Sequence, residues 1–247
     1  QLIIELTFKK AISEERYQKQ ILLLSTLKKN VLPIAEASFT KEETTCIFKF
    51  NKDILPLKEN LTAYKKGSIA TSTKFVIKIA EALNYLHSRG IVHGNLCLES
   101  VLYSIDKTNI FVYLWNFGLS NNNKADGKMM PPELSGADLN TLYVSSDSTI
   151  TPEVDIYQFG LLMYQIAMHP DPYNNLDVKN LEKHCTPEMI NLIKDCLNQD
   201  PSQRPTISNI ISRFRTQEIY LLCDDDKQNK NCQEKTEAFI NQDRFRN

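Results

Sequence analysis

No stretch of this chain approaches the ~18 consecutive apolar residues that mark a membrane-spanning helix, and the Gln1 end carries no basic segment followed by an apolar run. Neither a spanning helix nor a secretory signal peptide is expected, and the chain is read as soluble and not inserted in a membrane. A surplus of charge is missing too. Lys and Arg number 29 against 30 Asp and Glu, for a net charge of −1, so no broad pull toward nucleic acid or an anionic membrane is visible. The six cysteines, Cys46, Cys97, Cys185, Cys196, Cys223 and Cys232, contain no C-x-x-C pair and no His/Cys cluster at zinc-site spacing. Reduced thiols in an intracellular, cytoplasmic protein are the expectation.

What is present is enough apolar sequence for a core. Across 247 residues, 42% are hydrophobic and 24% charged, which suits one sizeable globular domain or two lobes packed as one unit. Residues 1–56 read as a small β-rich lobe, with β-prone runs at Leu2–Phe8 and Thr44–Phe50. Between them Ser13-Glu14-Glu15 offers an N-cap and an acidic first turn, and Tyr17, Ile21, Leu24 and Leu27 continue at helical spacing until the chain nears Pro33. Thereafter helical patterns dominate: Phe75, Ile79, Leu83 and Leu86 recur every three to four residues and stop at Gly90. Short apolar strands are read at Ile91–His93, Val101–Tyr103 and Ile110–Leu114, and further helices over about Val154–Met168, Pro187–Leu197 and Ile207–Phe214. The tail after Ile219, with Asp224-Asp225-Asp226-Lys227, reads as a linker or extension.

Five short motifs occur in order. They are His93-Gly94-Asn95 with Ser100 five positions after Asn95, Asn116-Phe117-Gly118, Met130-Pro131-Pro132-Glu133, Asp155-Ile156-Tyr157-Gln158-Phe159-Gly160, and Asp200-Pro201-Ser202-Gln203-Arg204-Pro205. They resemble the H-R-D-x-x-x-x-N catalytic loop, D-F-G turn, A-P-E segment, D-x-x-S-x-G helix start and D-P-x-x-R-P signature of the protein kinase-like superfamily. The resemblance covers about residues 1–216 and implies an α+β, bilobal kinase-like fold: a reduced β-rich N-lobe (about 1–56), a mainly helical C-lobe (about 57–216), and 217–247 as an extension. It also implies structural roles. Glu133 and Arg204 match the family's acid–arginine pair, His93 and Phe117 its stacked spine side chains, and Asp155 the residue that holds the catalytic-loop backbone.

The same resemblance implies that the chemistry is lost. Asn95 stands where the catalytic base Asp should be, Ser100 where the second metal ligand Asn should be, and Asn116 where the first metal ligand Asp should be. A neutral amide cannot take up the hydroxyl proton, and it offers a hard cation a neutral oxygen in place of a carboxylate. Nor does the chain contain a G-x-G-x-x-G phosphate cradle. Register counted back from Asn30-Val31-Leu32-Pro33 places Gln20 or Lys19 at the family's pairing Glu and Glu5 near its Lys, with Lys9 or Lys10 as shifted alternatives.

Only 14 residues, Leu119 to Pro132, separate Gly118 from Glu133, and Ser120 is their sole hydroxyl. A phosphorylation switch is not expected there. The Ser/Thr/Asp-rich stretch from 134 to 154, with Tyr143, reads as a solvated insertion or a docking element. Gly94 removes a basic side chain, and His-Gly-Asn is similar to the sequence in regulatory pseudokinase domains of Janus kinases and in kinase-homology regions of receptor guanylyl cyclases. The resemblance thus implies a pseudokinase rather than an enzyme, with no bound ATP or Mg²⁺. Its expected role is a scaffold or allosteric module whose partner is a protein, or a neighbouring domain of a longer polypeptide. The alternatives are nucleotide sensing without turnover, or a weak kinase using a displaced acid, for which Glu99 is nearest in sequence.

Overall fold

The computed structural model describes residues 2–9, 34–39, 43–50, 54–59, 61, 69–106, 109–115, 117, 130–135, 150–168, 178–216 and 234. The first sheet contains β1 (Leu2–Lys9), β2 (Ile34–Phe39) and β3 (Glu43–Phe50) in the order β1-β3-β2. Both neighbours of β3 run antiparallel to it, with Leu2 opposite Phe50 and Lys9 opposite Glu43, and the β2 register slips by a bulge between Ile34 and Glu36. The strand at Ile34–Phe39 was not apparent from its Ala- and Glu-containing sequence. The helix read at Ser13 to Lys28, with Gln20 and Lys19, lies outside the described residues.

A second small sheet has the order β4-β5-β6, formed by β4 (Leu55–Pro56), β5 (Val101–Asp106) and β6 (Asn109–Leu114). Leu55 pairs with Tyr103 and Pro56 with Leu102. These two residues, read from sequence as the end of the first lobe, therefore belong with the second sheet. Among the described residues, most of the remainder lies in four helices: α1 (Ile69–His87), α2 (Pro152–Met168), α3 (Pro187–Cys196) and α4 (Ile207–Thr216). A three-stranded sheet followed mainly by helices is the arrangement of a bilobal kinase-like fold.

Helix α2 is the centre of the helical part. Every residue from Val154 to Ala167 is buried, as expected for a helix apolar nearly all round. It packs on α1 and α3, and α1 in turn packs on β6 and α4. Phe75, Ile79, Leu83 and Leu86 of α1, Leu114 of β6, Phe159 and Leu162 of α2, Leu192 and Ile193 of α3 and Ile210 of α4 join in one core. Each such side chain contributes about 1.5–3 kcal/mol on burial. Helix α1 gives way to a turn that ends at Gly90, where φ is +68°, a conformation in which a Cβ would be strained. Helix α3 opens on Thr186, whose hydroxyl accepts from the Met189 N–H at 3.3 Å, followed by Pro187 in the first turn.

Ile91–His93 is not a strand. The segment is irregular: its Ile91 N–H donates back to the Leu86 carbonyl of α1 at 3.1 Å and its His93 N–H to Asp155 of α2 at 2.8 Å, instead of to a neighbouring strand.

Candidate functional site

The loop from His93 to Ser100 lies between α1 and β5 and is fastened from α2. Asp155, in the first turn of α2 and fully buried, accepts the His93 N–H on Oδ2 at 2.8 Å and the Gly94 N–H on Oδ1 at 2.7 Å. The same Oδ2 lies 2.8 Å from Nε2 of His87, the last residue of α1. One carboxylate thus ties the end of α1 to the loop. Such a buried anion is tolerated because both oxygens receive charge-assisted hydrogen bonds and the helix N-terminus favours negative charge.

One turn along α2, Gln158 continues the fastening. Its Oε1 accepts the Leu96 N–H at 2.9 Å, and its Nε2 donates to the Gly94 carbonyl at 3.4 Å. The Asn95 N–H goes to Nδ1 of His93 at 3.2 Å, and the Cys97 N–H to Oγ of Ser100 at 2.9 Å. From His93 to Cys97, every backbone donor has a side-chain acceptor.

His93 is stacked on Phe117 with ring centroids 4.4 Å apart and planes inclined by 30°. Its Nδ1 accepts, so Nε2 carries the proton and donates to the Trp115 carbonyl at 3.1 Å. Burial pushes the imidazole down from 6.5 to about 4. It is a neutral, structural histidine and not a proton shuttle at physiological pH.

Ser100 is fully buried, and its hydroxyl donates to the Cys97 carbonyl at 2.9 Å while accepting the Cys97 N–H. One lone pair is left to it. Burial raises the Cys97 thiol to about 11, which leaves it protonated and poorly nucleophilic. Glu99 is exposed and paired with Lys58 at 2.5 Å. Partial burial alone would raise its carboxyl, but the hydrogen bond and charge of Lys58 hold it below the usual range. That is the wrong direction for a substitute general base.

Trp115, just before Asn116, lies across the same loop. Its indole Nε1–H donates to the Glu99 carbonyl at 2.8 Å and its backbone N–H to the Ser100 carbonyl at 3.1 Å. Asn116 itself, the segment from 118 to 129 with Ser120, and the stretch from 136 to 149 with Tyr143 lie outside the described residues. Among the described residues no cluster of three His, Cys, Asp or Glu side chains is gathered as a metal site. The donors at this loop fit a hard divalent cation poorly: a neutral amide at Asn95, a hydroxyl already shared with Cys97, and a carboxylate bound to Lys58.

Glu133 and Arg204 meet well away from the loop in sequence. Arg204 donates from Nη1 to Oε1 of Glu133 at 2.6 Å and from Nη2 to its Oε2 at 2.7 Å, a bidentate pair. It also donates from Nη1 to the Glu153 carbonyl at 2.9 Å and from Nε to the Asn198 carbonyl at 2.9 Å. The guanidinium carbon also lies 4.9 Å from the centre of the Tyr157 ring. The pair therefore joins the short segment at Pro132–Leu134 to the start of α2 and to the turn before α4.

Sequence reasoning missed Gln158, His87, Lys58 and Trp115. Gln158 departed from Ser in a motif already recognised, which was the one available signal. The others act across 41 to 68 residues of chain or through backbone carbonyls, which no local pattern encodes.

Residues 6–214 match the family described as protein tyrosine and serine/threonine kinase. Among individual relatives, the chain is 29% identical over 191 residues to a probable serine/threonine-protein kinase of Dictyostelium discoideum, covering 69% of this chain and 18% of that protein. It is 25% identical over 188 residues to human receptor-interacting serine/threonine-protein kinase 1, covering 63% and 27% respectively. A probable inactive serine/threonine-protein kinase of Dictyostelium discoideum is 26% identical over 211 residues, 75% of this chain and 17% of the relative. The chain spans less than a third of the length of each of these relatives. With its fold, its motif order and a match over most of its length, the chain belongs to the protein tyrosine and serine/threonine kinase family.

Proposed function

We propose that this domain is a pseudokinase: a kinase-like domain that does not transfer phosphate and serves as a scaffold or allosteric module for a protein partner, or for another domain of a longer signalling polypeptide. The observation that carries the reading is the amide of Asn95 at the position of the catalytic base, in a loop whose own single acid, Glu99, is held ionised by Lys58. Phosphoryl transfer is almost wholly positioning and charge neutralisation by carboxylate-bound Mg²⁺. Neither Asn95 nor Asn116 supplies a carboxylate. The relative described as inactive shows that loss of activity is attributed elsewhere among similar proteins; the relatives described as kinases support the competing reading, a weak kinase.

In this reading residues 1–216 form the kinase-like domain and 217–247 an extension. Glu133, Arg204, Asp155, His93 and Phe117 keep the scaffold standing, while Asn95, Ser100 and Asn116 do no chemistry. The test is a radiolabelled phosphotransfer assay on protein freed of contaminating kinases, with autophosphorylation and a general substrate as readouts. No transfer above background is expected. Turnover that disappears in the Asn95→Ala variant would overturn the reading.

A further inference from the structure

Three departures from the kinase pattern, two on the His93–Ser100 stretch and one on α2 facing it, all fasten that stretch of backbone. Gly94, where the pattern has Arg, takes φ of +72°, a left-handed conformation that costs glycine little. Its N–H then meets Asp155 at 2.7 Å. Ser100, where the pattern has Asn, closes a tight turn by bonding both the N–H and the carbonyl of Cys97 at 2.9 Å. Gln158, where the pattern has Ser, reaches the Leu96 N–H at 2.9 Å and the Gly94 carbonyl at 3.4 Å. These two groups bracket Asn95. A serine hydroxyl at the same place on α2 stops two bonds short of the Gln158 amide and could not make this bridge.

We propose that Gln158 is a positioning residue that, together with Ser100, locks the His93–Ser100 loop in one conformation without nucleotide or cation. Gln158 is buried within the helix that centres the core, so the loop is referenced to an element held by packing on all sides. A buried amide with both its oxygen and nitrogen engaged is costly to leave unpaired, which favours this loop conformation over others. The N–H groups from His93 to Cys97 are all committed inside the protein and are not offered to an anion. The proposal stands apart from the absence of catalysis: a working kinase could use the same lock, and an inactive one could lack it.

Residue-resolved amide hydrogen exchange on the isotopically labelled full chain tests it. In nucleotide-free protein the Leu96 N–H should be protected alongside those of His93 and Gly94, and Mg·ATP should leave all three unchanged. Gln158→Leu should speed Leu96 exchange about tenfold, the scale of one lost buried hydrogen bond, with exchange in α4 unaltered. Gln158→Glu keeps an oxygen acceptor whether or not it is ionised, and should hold Leu96 near its original rate. An unprotected Leu96 in the unsubstituted protein overturns the proposal by itself. So does a folded Gln158→Leu protein with unchanged Leu96 exchange, a Gln158→Glu protein that exchanges as fast as Gln158→Leu, or loop protection that appears only with Mg·ATP. If Gln158→Leu does not fold, the unsubstituted protein and Gln158→Glu still decide.

Discussion

Arg204 grips Glu133 with both terminal nitrogens, at 2.6 and 2.7 Å, while its side chain is fully buried and that of Glu133 is 25% exposed. The guanidinium is also spent on two backbone carbonyls, so its removal strands an acid and two acceptors at once. Arg204→Ala should destabilise the domain by about 3 kcal/mol, the low end for breaking a buried pair. Arg204→Lys should recover only part of the loss, because an ammonium cannot present the fork. Urea midpoints at constant m-value measure both; a neutral Arg204→Ala would refute the structural role assigned to this pair.

Gly160 on α2 lies where α3 ends. A Cβ placed there would stand 2.8 Å from the Cβ of Cys196 and 3.1 Å from side-chain atoms of Leu197. Helix propensity alone predicts that Gly160→Ala stabilises by about 1 kcal/mol. Overpacking should win, and the variant should lose about 1–3 kcal/mol. The sign of the change in urea midpoint separates the two effects, and stabilisation would mean that α2 and α3 can part without cost.

The depressed His93 imidazole sets a pH dependence. In the unfolded chain it binds a proton near 6.5, in the folded protein only near 4, so between these values the unfolded state holds more protons. Stability from this group is complete above 6.5 and is lost as pH falls toward 4, by at most about 1.4 kcal/mol per pH unit. His93→Phe should be less stable at pH 7, since it forfeits the bonds to Asn95 and Trp115, yet show a shallower decline from pH 6.5 to 5. Parallel declines in the two proteins would assign the acid sensitivity to other groups.

Much of this architecture is written locally. The α1 spacing of Phe75, Ile79, Leu83 and Leu86 matches residues that are buried without exception, because a helix must turn one face to the core. The strand β2 escaped notice because Ile34-Ala35-Glu36-Ala37-Ser38-Phe39 has little β propensity of its own; it is a strand by virtue of pairing with β3. Ile91-Val92-His93 failed in the opposite direction. Its composition suits a strand, but Asp155 captures the His93 donor from across the fold. The motifs marked where the site would be, while the side chains that organise it, Gln158 and His87, act over 62 and 68 residues of chain. Distance in sequence, and not weak chemistry, hid them.

Trp115 is the only tryptophan in the chain, and its indole donates to the Glu99 carbonyl beside the half-exposed Lys58–Glu99 pair. Its emission is therefore a native reporter of the loop and its surroundings. A ligand at 100 times its dissociation constant adds about 2.7 kcal/mol to stability, a shift easily seen in thermal melts. With no glycine-rich cradle, and with amides at 95 and 116, Mg·ATP at millimolar concentration should move neither the melting temperature nor the Trp115 spectrum. Lys58→Ala should alter the spectrum, because it frees the Glu99 carboxylate next to the indole's hydrogen-bond partner, and so provides the positive control for sensitivity. A magnesium-dependent rise in melting temperature accompanied by a Trp115 shift would instead establish a nucleotide-sensing domain. A rise without the spectral shift would place the nucleotide away from this loop.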